Sequence, residues 1–412
     1  MYRYFTVFAM LMMFVSCNHE GILGVSANKP HPLTPEEQRK PMPPVRTLVV
    51  KPGDYNSSMW RIVAIATADN GDIVVSSDAR RFSNADLPAP MDTVIMRSSD
   101  LGRTWSAPIV VNPPCIQEDK YSGYGDPLLI KEHGNSTIHL LMAANNGFAA
   151  SSKNKPIKTY ISTSYDNGKT WEYPPRDITG QLWLDNTEEA GGFIGSGRGI
   201  QLKWQKDPKK NRRLMAAMVF QGGYARAIYS DDGGTNWKAS PRVDGKCDEP
   251  KVIELADGTV MMNNRALGQG KRQISYSSDG GETWSRFQNH PQLNDPNNNG
   301  ETVRYTSTND GFDKNRLLFV NANHTDSLPR RNITVRISYD EGKTWKHSKV
   351  LREGIADYSS LTILPDGTIG AYVEEGGDAT GGWNLYFSRF NLYWLTDGED
   401  YYTPSTDPNF KH

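Results

Sequence analysis

The octapeptide SYDNGKTW at residues 164–171 is one of a set of closely similar segments. The other copies read SSDLGRTW at 98–105, SSDGGETW at 277–284 and SYDEGKTW at 338–345, and a degenerate copy, SDDGGTNW, lies at 230–237. Their tryptophans are 47 to 66 residues apart, an interval typical of four-stranded propeller blades joined by loops of variable length. The repeat therefore predicts a β-propeller.

Each copy has the composition of a tight hairpin. Its aspartate can accept hydrogen bonds from turn N–H groups, its glycine allows a positive φ, and its tryptophan can pack into a blade. A β-rich stretch precedes each copy, such as KTYISTS at 158–164. We therefore expect the repeat to stabilise the fold rather than to bind a ligand.

Residues 355–395 predict one more blade, although they lack the repeat. The segments SSLTILPDGTIGAYVEE and WNLYFSRFNLYWL are typical of strands around turns, and a strand near residues 46–66 would close the ring. No stretch shows sustained helical periodicity. The predicted fold class is therefore all-β, a six-bladed β-propeller over residues 46–400, with residues 401–412 as a C-terminal tail.

The N-terminus predicts an exported, lipid-anchored protein. Residues 5–15 form an apolar run too short to span a bilayer, and Ser16-Cys17 follow it. We expect residues 1–17 to be a lipoprotein signal peptide, with Cys17 acylated and the protein held at the membrane, in the periplasm or at the cell surface, through that anchor alone. An ordinary cleaved signal with an incidental cysteine is the alternative. The polar, proline-rich residues 18–45 predict a flexible linker.

The charge balance and the cysteines narrow the range of partners. The 412-residue chain carries 46 Lys+Arg against 47 Asp+Glu, so nothing in its charge favours a nucleic-acid partner. Cys115 and Cys247 have no metal-ligand spacing around them. An exported protein could join them in a disulfide, and two buried thiols are equally compatible with the sequence. We expect a monomer with no metal and no cofactor.

Residues 50–395 resemble bacterial and animal exo-sialidases, and the repeats resemble the Asp-boxes of sialidase-like propellers. The resemblance begins at Trp60-Arg61-Ile62-Val63, where the family has an arginine in an aromatic-Arg-Ile-Pro segment. It implies that Arg61 binds the carboxylate of the substrate. Val63 replaces the family's proline, which alters the strand rather than the charge.

The resemblance continues into the loop before the first Asp-box. The family places an arginine five residues before its acid/base aspartate, and Arg81 stands five residues before Asp86. This implies that Arg81 contacts the substrate and that Asp86 is the general acid. Residues 123–127 and 197–202 also resemble family segments, and we expect them to shape loops near the pocket.

The resemblance implies that Glu249 is the general base and Arg265 the second arginine of the carboxylate clamp. These two residues are sixteen positions apart, with the turn sequence ELADGT between them. The third clamp arginine precedes the strand of the last Asp-box, where the chain offers Arg330 and Arg331. Alignment on that strand favours Arg330.

The nucleophile implied by the resemblance is Tyr358, which stands thirteen residues after Trp345. A neutral phenol suits a substrate that carries a carboxylate, because an anionic nucleophile would meet a repulsion of roughly 4 kcal/mol at about 4 Å for an effective dielectric near ~20. Arginine suits that carboxylate because its planar fork can bond both oxygens. The implied activity is retaining hydrolysis of terminal sialic acid from sialylated glycans, with tyrosine replacing the second carboxylate of most glycosidases.

Other functions use the same motifs. A trans-sialidase, an intramolecular trans-sialidase or a hydrolase of deaminated sialic acid needs the same residues, so the sequence leaves these alternatives open. A non-catalytic sialic-acid-binding propeller would be expected to lack Asp86, Glu249 or Tyr358, and this chain has all three. The sequence therefore favours an exo-sialidase.

Overall fold

The computed structural model describes residues 32–152, 154–183, 191–265, 267–326, 328–376, 382–408 and 410. The predicted lipoprotein signal, with Cys17, and the first part of the predicted linker lie outside the described residues. Within the described ranges, no helix is long and apolar enough to cross a membrane.

Short strands make up most of the regular structure. In chain order they are β1 (Val45–Val50), β2 (Met59–Thr67), β3 (Ile73–Arg80), β4 (Asp92–Ser98), β5 (Ile109–Val110), β6 (Tyr124–Lys131), β7 (Ile138–Asn145), β8 (Ile157–Ser164), β9 (Arg176–Asp177), β10 (Gly192–Ile194), β11 (Gly197–Arg198), β12 (Ile200–Gln201), β13 (Leu214–Phe220), β14 (Tyr224–Ser230), β15 (Lys238–Ala239), β16 (Pro250–Glu254), β17 (Val260–Asn264), β18 (Lys271–Ser277), β19 (Gln288–Asn294), β20 (Gly300–Thr306), β21 (Arg316–Ala322), β22 (Arg331–Ser338), β23 (His347–Ile363), β24 (Ile369–Gly376) and β25 (Trp383–Phe390). The helices are α1 (Leu392–Leu395) and the 3-10 turns Glu37–Arg39, Asp54–Asn56, Thr179–Gln181, Pro208–Lys210 and Thr308–Asp310.

Strands that follow one another in sequence are mostly neighbours in the sheets. Two sheets have the simple orders β2-β3-β4-β5 and β16-β17-β18-β19. Another has the order β11-β6-β7-β8-β9, with β11 parallel to β6, and a further sheet is β10-β13-β14-β15, with β12 also pairing with β13. Antiparallel up-and-down sheets of this size are the units of a β-propeller. The all-β class is confirmed, and the arrangement is consistent with the predicted propeller.

The strands after β19, together with β1, form one sheet in the order β1-β25-β24-β23-β22-β21-β20. β23 is 17 residues long. Its first part pairs with β22 and its last part pairs with β24. A single strand thus belongs to two successive antiparallel units. β1 pairs with β25, with Arg46 opposite Ser388, so the two ends of the described chain meet in one sheet.

The Asp-boxes form the hairpin turns that the sequence predicts. In the second copy, Thr170 donates its backbone N–H and its hydroxyl to the Asp166 carboxylate at 2.9 and 2.7 Å, and Trp171 Nε1 donates to Gly168 O at 3.2 Å. A Cβ at Gly168 would lie 3.0 Å from Val74 Cγ2 of the neighbouring sheet. The box therefore joins two sheets as well as closing its own hairpin.

Trp171 packs between sheets rather than wholly within its own. It borders a buried cluster formed by residues of β2–β4 and residues of β6 and β7. We expect Trp171→Ala to lower the free energy of unfolding by about 3 kcal/mol, the lower end for a buried tryptophan because this ring is only half-buried. Denaturant unfolding measures the loss, and turnover of the folded fraction should stay near that of the unchanged protein. A stable but inactive variant would contradict a structural role.

Two segments predicted as linker and tail pack on the folded chain. Within residues 32–45, Gln38 is 2% exposed and its side chain donates to Asp366 O at 2.5 Å. In the C-terminal segment, Tyr402 is 6% exposed, with its ring centroid 6.1 Å from that of Tyr305. A buried amide with a backbone partner and a buried aromatic ring hold these segments against the sheets.

Candidate active site

Two pockets lie at opposite ends of β2 and β16. Arg61 near the start of β2 and Glu249 just before β16 line an open pocket of about 840 Å³. The last residues of the same strands, Thr67 and Glu254, line a second pocket. We call these the upper and the lower pocket. All the predicted site residues except Arg81 line the upper one, namely Arg61, Asp86, Glu249, Arg265, Arg330 and Tyr358.

Tyr358 and Glu249 form a hydrogen-bonded pair in the upper pocket. Tyr358 Oη donates to Glu249, at 2.7 Å from Oε1 and 2.9 Å from Oε2. Arg265 NH1 lies 3.2 Å from the phenol oxygen and 2.8 Å from Glu249 Oε2. Both Tyr358 and Glu249 are buried. Glu249 can therefore accept the phenol proton while Arg265 stays beside the oxygen that becomes charged.

The charges around this pair keep the proton on the phenol in the resting state. Burial acts to raise the pKa of Glu249, but the Arg265 and Lys251 cations and the bond from Tyr358 outweigh it and hold that pKa below its ordinary value. Burial and the Glu249 carboxylate raise the pKa of Tyr358 well above its ordinary value. Lys251 Nζ is buried without a hydrogen-bond partner among the described residues, and burial lowers its pKa to about 8. An ionised base thus faces a neutral phenol.

Three arginines surround the tyrosine ring. The guanidinium carbons of Arg61 and Arg330 lie 5.6 and 5.8 Å from the ring centroid of Tyr358, and Arg265 contacts its oxygen. All three line the upper pocket. Arg331 instead contacts His324. Three converging guanidinium groups make a site for one carboxylate.

Carboxylates outside the sequence prediction hold two of these arginines in place. Arg61 Nε lies 3.0 Å from Glu374 Oε1, and Arg330 NH1 lies 2.8 Å from Asp357 Oδ1. Glu374 is fully buried and also accepts the backbone N–H of Tyr358 at 3.3 Å. Glu374 is not among the site residues predicted from the sequence. It could have been found as an acidic residue at the end of the otherwise apolar stretch IGAYVEE, because a carboxylate in a buried strand needs a cation as partner.

Asp86 lies at the rim of the upper pocket, held by Arg80 rather than Arg81. Its side chain is 85% exposed, and Arg80 NH2 lies 2.7 Å from Asp86 Oδ1. Arg81 does not line the pocket, and its Nε contacts Asp92 at 2.7 Å. Side chains alternate along β3, so Arg80 shares a face with Asp78, which also lines the pocket, and Arg81 points to the opposite side. The structure therefore places Arg80, rather than the predicted Arg81, at the upper pocket.

This difference gives a matched pair of variants. For the sialidase activity expected from the sequence, Arg80→Gln should lower kcat/KM by about 10- to 100-fold, the range for losing a charge-assisted hydrogen bond at a site. Arg81→Gln should change kcat/KM little, although it removes the Asp92 ion pair. Thermal melting of both variants separates stability from activity. Equal losses of kcat/KM in the two variants would contradict the assignment.

Two further carboxylates lie beside Arg80. Asp126 accommodates a positive φ of 53°, and its N–H donates to Asp78 Oδ1 at 3.0 Å. Burial raises the pKa of Asp78 to about 7 despite Arg80, and burial together with Asp78 raises the pKa of Asp126 well above its ordinary value. Both carboxyls therefore hold a proton more readily than an exposed aspartate does. Of the two segments expected near the pocket, Asp126 lies in the upper pocket and Arg198 in the lower one.

The cysteines and the acidic groups give no sign of a metal centre. Cys115 and Cys247 are free thiols, so they form no disulfide. Over the part of the chain that the structure describes, no group of three or more His, Cys, Asp or Glu residues could hold a metal ion.

The fold and the site are consistent with a sialidase-like propeller, and comparison with known proteins shows the family. Residues 89–371 match the BNR repeat-like domain. The chain belongs to this family, within the sialidase superfamily. A sialidase of Micromonospora viridifaciens is 34% identical over 353 residues, which are 82% of this chain and 52% of the relative. A sialidase of Bacteroides fragilis is 28% identical over 78% of this chain and 61% of the relative. The chain thus spans little more than half the length of these relatives.

Solved structures agree with this placement. A Hadza microbial sialidase superposes with a TM-score of 0.75 at 26% identity, over 85% of this chain and 69% of that one. An intramolecular trans-sialidase from Ruminococcus gnavus superposes with a TM-score of 0.71 at 19% identity, over 86% of this chain and 98% of that one. At that identity the second likeness concerns the fold alone.

Proposed function

We propose that the chain is an exo-sialidase that hydrolyses terminal sialic acid from sialylated glycans with retention, through Tyr358. One observation carries the proposal: a phenol bonded to both oxygens of a buried glutamate stands among three arginines. The arginines suit a substrate with a carboxylate at the reacting carbon, which is the defining feature of a sialoside. The sialidases similar to this chain support the substrate class.

In the proposed cycle, Arg61, Arg265 and Arg330 bind the substrate carboxylate. Tyr358 Oη attacks the anomeric carbon as its proton passes to Glu249, and the departing glycan oxygen takes a proton from Asp86. A water molecule then attacks the same carbon, gives its proton to Asp86 and displaces Tyr358, which recovers its proton from Glu249. Two displacements at one carbon leave the configuration unchanged. The cycle uses only side chains of this protein and water.

We infer that the sheets are six blades of one propeller. The count follows if β23 supplies the outer strand of one blade and the inner strand of the next. β1 is then the outermost strand of the last blade. In this arrangement the ring closes where an N-terminal strand pairs with the C-terminal strand β25. The pairing of β23 with both β22 and β24, and that of β1 with β25, support this count.

Proton NMR of 3′-sialyllactose hydrolysis tests the proposed function. We expect the α-anomer of free sialic acid to appear first, with the β-anomer growing in by mutarotation, and lactose released in equal amount. Initial release of the β-anomer would contradict retention. A 2,7-anhydro product, or transfer to added lactose analogue, would identify an intramolecular or intermolecular trans-sialidase. Binding without turnover would identify a sialic-acid-binding propeller.

We also propose that the protein is exported and anchored through an acylated Cys17. The support is the short apolar run that ends at Ser16-Cys17. Cys17→Ala should move the protein from the membrane fraction to the soluble fraction, measured by immunoblot after ultracentrifugation. Ser16→Ala, which keeps a small residue before the cysteine, is the control and should stay with membranes. Unchanged partitioning of the Cys17 variant would contradict the anchor.

A further inference from the structure

We propose that the lower pocket is a binding site for a small carboxylate carried on an apolar ring, with Arg198 as the residue that bonds the carboxylate. This second site does not depend on the proposed sialidase activity. It differs in position and in residues from the upper pocket.

The lower pocket is large enough for such a ligand and has apolar walls. It has a cavity volume of about 130 Å³, close to that of an apolar cavity that binds a benzene ring. Trp204, Phe312 and Phe410 line it together with Ile253 and Ile363. Phe312 and Phe410 pack edge to face with ring centroids 4.9 Å apart. Walls of this kind bury an apolar ring favourably, as binding pockets for small molecules generally do.

Arg198 enters this pocket with most of its hydrogen-bonding capacity unused. It lies on β11, and its side chain makes one hydrogen bond, from NH1 to Leu361 O at 3.4 Å. Among the described residues, no carboxylate lies within ion-pair distance of it. Glu301, an acidic group that acts electrostatically on Arg198, already accepts hydrogen bonds from the Ser360 hydroxyl at 2.9 Å and from Leu361 N–H at 2.8 Å. A guanidinium has five N–H donors, so Arg198 can bond both oxygens of an incoming carboxylate.

The environment of Arg198 favours the binding of an anion. Burial lowers the pKa of Arg198, which means that its charge is poorly solvated there. Lys131, 3.5 Å from Asp69, adds positive potential at the same pocket. His133 is neutral at pH 7, because burial and the neighbouring lysines lower its pKa to about 3. A bound anion would therefore offset part of the free-energy cost of burying the Arg198 charge.

The acidic groups of the pocket are already bonded and do not oppose an anion at Arg198. Asp310 pairs with Lys203 at 2.6 Å. Glu254 accepts the backbone N–H groups of Lys203 and Trp204 at 2.6 and 3.0 Å, and burial raises its pKa. Each of these two carboxylates therefore already has bonded partners of its own.

Both pockets can be occupied at once. The stretch of β2 from Arg61 in the upper pocket to Thr67 in the lower one is about 20 Å long at the usual rise per strand residue. A ligand in the lower pocket therefore does not overlap a sugar bound between Arg61 and Arg265. Separate variants can remove each site.

Isothermal titration calorimetry with benzoate tests the proposal, because benzoate joins a carboxylate to an apolar ring. The full chain should bind benzoate at two sites, one in each pocket. Arg198→Leu should weaken the lower site by about tenfold or more, the usual value of a charge-assisted hydrogen bond, and Arg265→Leu should weaken only the upper site. Arg286→Leu, at a side chain that is 77% exposed, is the control and should bind like the unchanged protein.

Two further probes separate the parts of the ligand. Benzamide keeps the ring without the charge, and inorganic phosphate keeps a charge without the ring, so each should bind the lower pocket at least about tenfold more weakly than benzoate. Crystals of the unchanged protein soaked with 4-iodobenzoate should show anomalous density beside Arg198, a result that does not require any variant to fold. Benzoate binding that Arg198→Leu leaves intact, absence of iodine at Arg198, or equal binding of benzamide or phosphate would overturn the proposal. Failure of the sialyllactose assay would leave these results unaffected.

Discussion

Tyr358→Phe should lower turnover of a sialoside by about 10³- to 10⁶-fold, the range seen when a nucleophile is removed from a concerted catalytic group. The substitution deletes only the hydroxyl that donates to both Glu249 oxygens. The ring remains between Arg61 and Arg330, so the packing should survive. Steady-state kinetics on an aryl sialoside measure the loss. Binding of a carboxylate inhibitor should persist because the three arginines are unchanged.

Tyr372→Phe is the matched control for this experiment. Tyr372 is also a buried tyrosine with a bonded hydroxyl, 3.0 Å from Ser77 Oγ, but it does not line the upper pocket. Loss of this hydroxyl should lower the free energy of unfolding by about 1 kcal/mol and leave turnover nearly unchanged. A fluorinated sialosyl fluoride, which slows breakdown of the covalent intermediate, should label the peptide that contains Tyr358. Labelling of another residue, or near-normal activity of the Tyr358 variant, would mean that the nucleophile is wrongly assigned.

Asp86→Asn should lower turnover of sialyllactose by about 10²- to 10⁴-fold, the usual contribution of a general acid. The same variant should lose much less activity on an aryl sialoside with an acidic phenol, because such a leaving group departs without a proton. Asp86 stands at the rim, 2.7 Å from Arg80, where it can reach the oxygen between sugar and glycan. The comparison of the two substrates distinguishes proton donation from substrate positioning.

The control for this variant is another exposed aspartate outside the pocket. Asp326→Asn changes a side chain that is 72% exposed and should leave both substrates unaffected. An Asp86 variant that loses equal activity on both substrates would show that Asp86 positions the sugar rather than protonating the leaving group.

The fold class could be predicted because its signals are local. Each Asp-box closes a hairpin through contacts within a few residues, such as Thr170 with Asp166, so one repeat unit shows the structure of the others. The spacing of Tyr358 from the last box, and of Arg265 from Glu249, also lies within single strand-turn-strand units. The positions of Tyr358, Arg265 and Glu249 can therefore be predicted from local sequence patterns.

The remaining contacts join parts of the chain that are far apart in the sequence. Glu374 pairs with Arg61 across 313 positions of sequence, and no local pattern connects the two. Arg80 and Arg81 differ by one position, but a one-residue change of register reverses the face of a strand. A spacing rule that ignores this alternation selects Arg81. Arg198 is assigned to the lower pocket only once the direction of the inner strands is known.

The pairing of β1 with β25 makes the proposed active site depend on both ends of the described chain. Arg61 lies in β2, early in the sequence, and Glu374, which orients its guanidinium, lies in β24, close to the end. Until β24 and β25 have been synthesised, Arg61 lacks this carboxylate and β1 lacks its partner strand. A nascent chain therefore contains Tyr358 and the three arginines before it contains the residues that hold them in place, and the proposed site is complete only with the final strands.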